Sequence, residues 1–279
     1  MKQIFDNVSV RCSKLVTNTY STSFSIGISL LNSSITEPIY SIYGFVRLAD
    51  EIVDSFHGHD RAKLLQEFID STDQAISNKI SLNPILNSFQ KTVHKYNIEQ
   101  ELIDCFFKSM KMDLKPMDFN TERYKDYITG SAEVVGLMCL RVFCVGDEKQ
   151  YQELKADAMS LGAAFQKINF LRDMQSDYNN LGRMYFPDVD YDHFDQNAKL
   201  AIEQDIQKDF DAGLRGIKRL PKKARLGVYI AYVYYYSLFK KIMNIPPTIL
   251  QTQRIRISNR RKYALFASGY IKHQLNYLS

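Results

Sequence analysis

Two pairs of aspartates at helical spacing are the residues of this sequence best suited to chemistry. Asp50 and Asp54 are four residues apart, as are Asp173 and Asp177. On a helix, this spacing places both carboxylates of a pair on one face, with Cβ atoms about 5–6 Å apart. Apolar residues share the face of the first pair, so its carboxylates are predicted to point inward. Two inward carboxylates cost on the order of several kcal/mol unless a cation compensates them.

The residues around these pairs suggest which cation that is. Tyr43 and Arg47 precede the first pair on its helix face, and Gln166 and Asn169 precede the second pair. Oxygen ligands with room for water suit Mg²⁺, which proteins hold through one or two carboxylates together with substrate phosphates. The pattern therefore indicates a magnesium-diphosphate site between two helices. The simpler alternative is that Arg47 is only an ion-pair partner of the first pair.

Spacing alone is weak evidence, because two other pairs in the chain share it. Asp188 and Asp192 fall in an irregular stretch, where helical spacing means little. Asp205 and Asp209 lie among Glu, Gln and Lys residues and are predicted to form a solvated helix face. On these residues alone, a metal site and an exposed acidic face are about equally favoured.

The elements that must position these residues are helices almost throughout. No alternating stretch is long enough to define a sheet, and the longest irregular passage is 179–195, so the sequence predicts one all-α domain, 1–279. Thr36 is predicted to cap the second helix. Helices are predicted at 7–20, 38–56, 60–77, 83–94, 98–115, 121–143, 147–178, 196–215, 221–243 and 258–276.

Composition limits the class of protein. Lys and Arg number 36 against 31 Asp and Glu, a net charge of +5 that is too mild to indicate nucleic-acid binding. Four cysteines without a CxxC pair indicate free thiols in a reducing compartment. No apolar leader is visible, the central apolar stretch is broken by Glu133 and Arg141, and 226–239 is shorter than the ~20 residues of a span. We expect a cytoplasmic protein. Its basic C-terminal residues are either a solvated helix face or a contact with an anionic membrane.

Five stretches carry distinctive residues in a fixed order: 21–24 (STSF), 43–54 (YGFVRLADEIVD), the positions Tyr127, Gly130, Ala132, Val135 and Gly136, 166–173 (QKINFLRD) with Asp177, and 182–187 (GRMYFP). In order and spacing, they resemble the motifs of the head-to-head prenyl synthases, the squalene and phytoene synthases. The resemblance spans nearly the whole chain. One departure is 132–136, which reads AEVVG here and Ala-Gly-Thr-Val-Gly in the family.

The resemblance implies the all-α class I isoprenoid synthase fold, with both aspartate motifs facing a central cavity. It implies Mg²⁺ as the cofactor, with Mn²⁺ as a substitute, and prenyl diphosphates as the bound partners. The implied metal ligands are Asp50, Asp54, Asn169, Asp173 and Asp177. The implied catalytic residues are the four aspartates with Tyr43 and Arg47. The implied substrate contacts are Ser21, Ser23, Phe24, Tyr127, Gln166, Asn169, Arg183, Tyr236 and Arg254.

The implied reaction is the coupling of two geranylgeranyl diphosphates, through a cyclopropylcarbinyl diphosphate, to phytoene. This reaction ends in proton loss and requires no nicotinamide. The compact chain, without a C-terminal anchor, looks most like a bacterial phytoene synthase. The alternatives are a squalene or dehydrosqualene synthase that uses farnesyl diphosphate, and a non-catalytic assembly factor, which the four intact aspartates disfavour. The motifs leave the prenyl chain length (C15 or C20), the alkene geometry and the oligomeric state open.

Overall fold

A computed structural model describes residues 1–115 and 119–274, and within these ranges it contains helices and no strand. The predicted all-α class is confirmed. The helices are α1 (Lys2–Tyr20), α2 (Thr22–Ser29), α3 (Ser33–Asp54), α4 (Arg61–Asn78), α5 (Pro84–Tyr96), α6 (Gln100–Met112), α7 (Thr121–Ile128), a π-helical turn (Thr129–Glu133), α8 (Val134–Cys144), α9 (Glu148–Leu181), α10 (Gln196–Arg219), α11 (Lys222–Met243), α12 (Pro247–Thr252) and α13 (Asn259–Gln274).

The helix starts differ most from the sequence prediction. The side chain of Asn32 caps α3 by accepting a hydrogen bond of 3.0 Å from the amide of Ser34. The prediction of Thr36 as the cap was wrong, because Pro38 was assigned to the first turn and instead lies inside the helix. The short helices α2 and α12 were missed. The predicted end of the last helix at 276 lies outside the described residues.

Helix α3, which carries the first aspartate pair, is fixed by close packing on both sides. A Cβ at Gly44 would lie 2.8 Å from the Cβ of Ser13, so α1 crosses α3 where only a hydrogen fits. One residue later, the buried ring of Phe45 stacks on Phe89 of α5 with 3.8 Å between ring centroids. The second half of α3 is therefore held rigidly in the bundle.

The segment from Thr121 to Cys144 is continuous, and its π-helical turn accommodates neighbouring helices. A Cβ at Gly130 would lie 2.5 Å from the carbonyl oxygen of Cys105 in α6. A Cβ at Gly162 would lie 2.7 Å from the carbonyl oxygen of Ala132 in the turn. Such π-bulges are frequent at functional sites.

By length and composition alone, the same segment could cross a membrane, with a mean hydropathy of 1.4. The expectation that Glu133 and Arg141 interrupt its apolar run was therefore too strict. However, 67% of its most apolar window is buried inside the protein, and a core helix passes the same test. Arg141 is tied to Glu99 and Glu148 by ion pairs, so its charge is compensated within the fold.

The long helix α9, which carries the second aspartate pair, lies against α10. Lys167 on its back is 10% exposed and makes ion pairs with both Asp205 and Asp209, the latter at 2.7 Å. The prediction of a solvated face is thus wrong for Asp209, which is 18% exposed, and right for Asp205, at 55%. The local pattern could not reveal this pairing, because the lysine belongs to another helix.

Candidate active site

A cavity of about 750 Å³ lies among the helices. Its walls come from α1, α2, α3, α8, α9, α10 and α11, from the π-helical turn, from the stretch 254–257 and from Lys262 of α13. One end is polar and the remainder is mostly apolar and aromatic. Because both motif helices reach the polar end, the chemistry of the molecule is concentrated there.

Charged and amide side chains from three parts of the chain line the polar end. Arg47 and Asp50 come from α3, Asn169 and Arg172 from α9, and Arg254 from the segment after α12. The guanidinium of Arg47 lies 4.4 Å from the ring centre of Tyr20 and forms an ion pair with Glu51. Sequence reasoning missed Arg172, although it lies within the 166–173 motif.

The two aspartate pairs are electrostatic neighbours. Burial, together with the charges of Asp54 and Asp113, raises the pKa of Asp50 to about 8 although Arg47 opposes the shift. Burial, together with Asp173 and Asp54, raises the pKa of Asp177 to about 7. Since Asp54 acts on carboxylates of both motifs, the two motifs meet at this end of the cavity, as their sequence predicts.

Asp173 is clamped between two guanidinium groups. Arg172 donates its Nε hydrogen to Oδ1 at 3.0 Å, and the Nε of Arg254 lies 2.6 Å from the same oxygen. Asp173 is 17% exposed and Arg254 is 46% exposed, so Arg254 reaches in from the surface. Asp173 therefore lies just behind the cavity wall that Arg172 and Arg254 form.

Asp54 is held from behind by a buried network. Arg183 is 6% exposed, and its Nη1 lies 3.1 Å from both Asp54 and Asp113. Tyr127 donates its hydroxyl hydrogen to Asp113 at 2.7 Å. Burial raises the pKa of Asp113 to about 7 although the charge of Arg183 lowers it.

Two predicted substrate contacts belong to this network. Tyr127 and Arg183 do not line the cavity, and in this conformation they support Asp54 instead. Sequence reasoning missed Asp113, because no motif or spacing connects it to Arg183, which is 70 residues away. Asp54, Asp173 and Asp177 also lie outside the cavity lining, at the edge of the polar end.

Aromatic rings form the wall beside the polar end. The ring centroid of Phe24 lies 4.8 Å from that of Tyr43 and 5.6 Å from that of Tyr235. Phe165 stacks on Tyr235 at 4.2 Å. All four residues line the cavity. Burial raises the pKa of Tyr43 well above its ordinary value, so this hydroxyl stays protonated.

The predicted late tyrosine, Tyr236, is not part of this wall. Its ring packs edge-on against Phe210 at 5.3 Å, and its hydroxyl points to Gln207. Its neighbours Tyr234 and Tyr235 line the cavity instead. Consecutive residues on a helix point about 100° apart. In a run of three tyrosines, the sequence therefore does not indicate which side chain faces the cavity.

The remaining predicted contacts do line the cavity: Ser21, Ser23, Phe24, Gln166 and Asn169. Ser21 also caps α2 by accepting a hydrogen bond of 3.3 Å from the amide of Phe24. Asn169 donates to the side chain of Gln166 at 3.3 Å.

The family model of the squalene/phytoene synthases matches residues 17–261. The chain belongs to this family. The predicted resemblance is thereby confirmed. A presqualene diphosphate synthase from Sinorhizobium fredii is 32% identical over 61% of this chain and 60% of its own length. Phytoene synthase 1 of Solanum lycopersicum is 22% identical over 94% of this chain and 67% of its own length, and the 15-cis-phytoene synthase of Synechocystis is 25% identical over 89% and 78%.

Solved structures show the fold of this family member. A dehydrosqualene synthase with a bound ligand superposes with a TM-score of 0.80, covering 96% of this chain and 98% of the other at 17% identity. A squalene synthase from Alicyclobacillus acidocaldarius superposes with a TM-score of 0.74, covering 86% and 94% at 20% identity. The predicted isoprenoid synthase fold is confirmed. The aligned part of the chain spans about 60% of the length of the Sinorhizobium fredii relative.

The polar end of this squalene/phytoene synthase chain fits a hard divalent cation with a bound phosphate. Within the described residues, no three His, Cys, Asp or Glu side chains are arranged around one metal position. However, the Oδ1 atom of Asn169 is buried there without a hydrogen-bond partner. Magnesium typically takes only one or two carboxylates and completes its shell with water and phosphate oxygens. Paired carboxylates and an unpartnered amide oxygen suit that chemistry.

Proposed function

We propose that this family member is a magnesium-dependent prenyltransferase that couples two prenyl diphosphates head to head. The observation that carries the proposal is the polar end of the cavity, where two aspartate pairs and three arginines adjoin an aromatic wall. Paired carboxylates suit the binding of divalent cations, and guanidinium groups suit the binding of diphosphate oxygens. The aromatic wall suits contact with the prenyl chains.

Each charged group has a part in this proposal. Asp50, Asp54, Asn169, Asp173 and Asp177 would hold magnesium. When bound, the metal neutralises the charge that develops on a departing diphosphate. Arg47, Arg172 and Arg254 would bind the diphosphate oxygens and fix the direction in which the leaving group departs. Arg183 and Tyr127 would keep Asp54 in place from behind.

The aromatic wall would protect the cation that remains on the prenyl chain. Water must be excluded, since it would capture the cation before the second chain does. The rings of Phe24, Tyr43, Phe165 and Tyr235 present π faces, each able to stabilise a cation by about 0.5–2 kcal/mol. The double bond of the second substrate then attacks the cation, and loss of a proton from the new cation closes the ring of a cyclopropylcarbinyl diphosphate. Departure of the second diphosphate, rearrangement of the resulting cation and loss of a second proton give the coupled hydrocarbon.

For the substrate, we propose two geranylgeranyl diphosphates, with phytoene as the product and no nicotinamide required. The two named phytoene synthases support this choice, because their alignments extend over 94% and 89% of the chain. The presqualene diphosphate synthase from Sinorhizobium fredii, which is 32% identical over 61% of the chain, supports a second candidate, a squalene-type coupling of farnesyl diphosphate.

Incubation of the purified protein with Mg²⁺ or Mn²⁺ and each diphosphate, without nicotinamide, tests both candidates. We expect phytoene from the C20 substrate. Hydrocarbon formed only from the C15 substrate would select the second candidate. Asp50→Asn and Asp173→Asn should abolish turnover, whereas Asp70→Asn on the exposed face of α4 should not. A folded protein with no turnover of either substrate would contradict the proposal and favour a non-catalytic role.

A further inference from the structure

The charge of this chain is distributed very unevenly along its length. No Asp or Glu follows Asp211, so residues 212–279 carry 14 Lys and Arg and no acid. Residues 1–211 carry 22 Lys and Arg against 31 Asp and Glu. The mild net charge of +5 therefore conceals an acidic body and a strongly basic C-terminal quarter. Such an asymmetry indicates contact with an anionic surface.

The densest part of this basic quarter is the turn between α10 and α11, residues 215–225, here named the basic turn. Its six cationic residues are Arg215, Lys218, Arg219, Lys222, Lys223 and Arg225. Two of them are partly neutralised by α9. Arg219 lies 3.2 Å from Glu153, and Arg215 lies 3.7 Å from Asp157.

Two lysines of the basic turn are left for an outside partner. Lys218 and Lys222 are exposed, and within the described part of the chain neither forms an ion pair or a side-chain hydrogen bond. Lys223 is half-buried beside Cys144 at the end of α8, where burial lowers its pKa. The residue after that cysteine, Val145, is 50% exposed. Lys223, which directly follows Lys222 in the chain, therefore lies near the end of α8, where an apolar side chain is exposed.

The basic turn also covers the apolar end of the cavity. Gly213, Gly216, Ile217 and Leu220, from the same stretch of α10 and the turn, line the cavity wall. Along α9, Asp157 at this end is sixteen residues from Asp173, or about 24 Å at 1.5 Å per residue. The basic turn thus lies opposite the polar end, where the prenyl tails would extend.

We propose that the basic turn docks on an anionic lipid bilayer and brings the apolar end of the cavity to the membrane surface. The choice of a bilayer rests on the proposed function, because a coupled hydrocarbon dissolves in lipid and not in water. Each lysine near an anionic leaflet contributes about 1 kcal/mol of attraction. The acidic body of the protein would face away, since the same leaflet repels it.

Vesicle sedimentation tests the docking surface. The full chain is mixed with phosphatidylcholine vesicles that contain or lack phosphatidylglycerol, at low and high salt. We expect binding only to the anionic vesicles, with loss at high salt. In the double variant Lys218→Gln with Lys222→Gln, partitioning should fall about 25-fold, since about 1 kcal/mol per lysine is about fivefold. The matched control, Arg260→Gln with Arg261→Gln on α13, removes two exposed charges elsewhere in the basic quarter and should change partitioning little.

Several results would overturn the proposal. Equal losses in both double variants would show that total charge, and not the basic turn, governs binding. Binding to single-stranded RNA without binding to vesicles would assign the surface to another partner. Turnover of detergent-dispersed prenyl diphosphates is measured on the same preparations and should be unchanged in both variants. Turnover without vesicle binding contradicts only the docking surface, and vesicle binding without turnover contradicts only the proposed function.

Discussion

The contact between Arg254 and Asp173 leads to a prediction for two affinities, that for magnesium alone and that for pyrophosphate with magnesium, which should change in opposite directions when Arg254 is replaced. Arg254 reaches in from the surface and places its Nε 2.6 Å from an Asp173 oxygen, while Arg172 holds the same carboxylate from its own helix. In the metal-free protein, Arg254 therefore competes with magnesium for Asp173. Once a diphosphate is bound, the same guanidinium is placed to bind its oxygens. The substitution Arg254→Gln should separate these two effects.

The magnitudes follow from exposure and charge. Arg254 is 46% exposed, so its ion pair is screened by water and contributes at most about 1 kcal/mol. Its loss should tighten the binding of magnesium alone by up to about fivefold. A hydrogen bond from a guanidinium to a diphosphate oxygen contributes about 1.5–3 kcal/mol. Its loss should weaken the binding of inorganic pyrophosphate in the presence of magnesium by about 10- to 100-fold.

Titration calorimetry measures both affinities on the same protein. Magnesium is titrated first alone, and then pyrophosphate is titrated at saturating magnesium. Arg260→Gln, an exposed arginine on α13, is the matched control and should leave both affinities unchanged. If Arg254→Gln weakened both, the residue would only hold the local structure together. If it left pyrophosphate binding intact, Arg254 would not be a diphosphate ligand.

Three further predictions concern stability, measured as urea midpoints. Burial acts to raise the pKa of Asp6. Hydrogen bonds from Lys91, Asn87 and Lys2 outweigh this effect and lower the pKa to about 2. Because the pKa of Asp6 is lower in the folded state, its carboxylate stabilises the protein above about pH 4, and most of this stabilisation is lost as the pH falls toward 2. Asp6→Asn should therefore lower the midpoint much more at pH 7 than at pH 2. Equal losses at both values would contradict this. Gly44→Ala should cost about 1–3 kcal/mol, because α1 must move away from α3, and an unchanged midpoint would refute the close crossing. Tyr127→Phe removes the hydroxyl that donates to Asp113 and should cost about 1.5–3 kcal/mol; no loss would mean that water replaces it.

Periodicity predicted most helices of this fold because their apolar faces repeat regularly along the chain. It failed where local signals compete with packing. The first helix was predicted to start at 7 although α1 begins at Lys2, because no side-chain cap marks its start. Buried small residues such as Ser9 and Ser13 give α1 its contact with α5, and no hydrophobicity scale marks them as core.

Only those features of the site that depend on a single helix could be predicted from residue spacing. The spacing of each aspartate pair follows from one helix, and the motif order showed that the two pairs belong together. The partner of Arg183 could not be predicted, because Asp113 lies on another helix. Likewise, the pairing of Lys167 with Asp209 depends on how α9 lies against α10.

The charges at the polar end explain why a cation and an anion should bind there together. Burial and mutual repulsion raise the pKa of Asp50 to about 8 and that of Asp177 to about 7. The nearby cationic side chains therefore do not fully compensate the negative charge of these carboxylates, and a metal cation is attracted. The guanidinium groups of Arg47, Arg172 and Arg254 line the same end, so an anion is attracted as well. A metal ion that binds alone is repelled by these arginines, and a diphosphate that binds alone is repelled by the carboxylates. When the two bind as one complex, the metal compensates the carboxylates and the diphosphate compensates the arginines. By linkage, each should then raise the affinity of the other by the same factor.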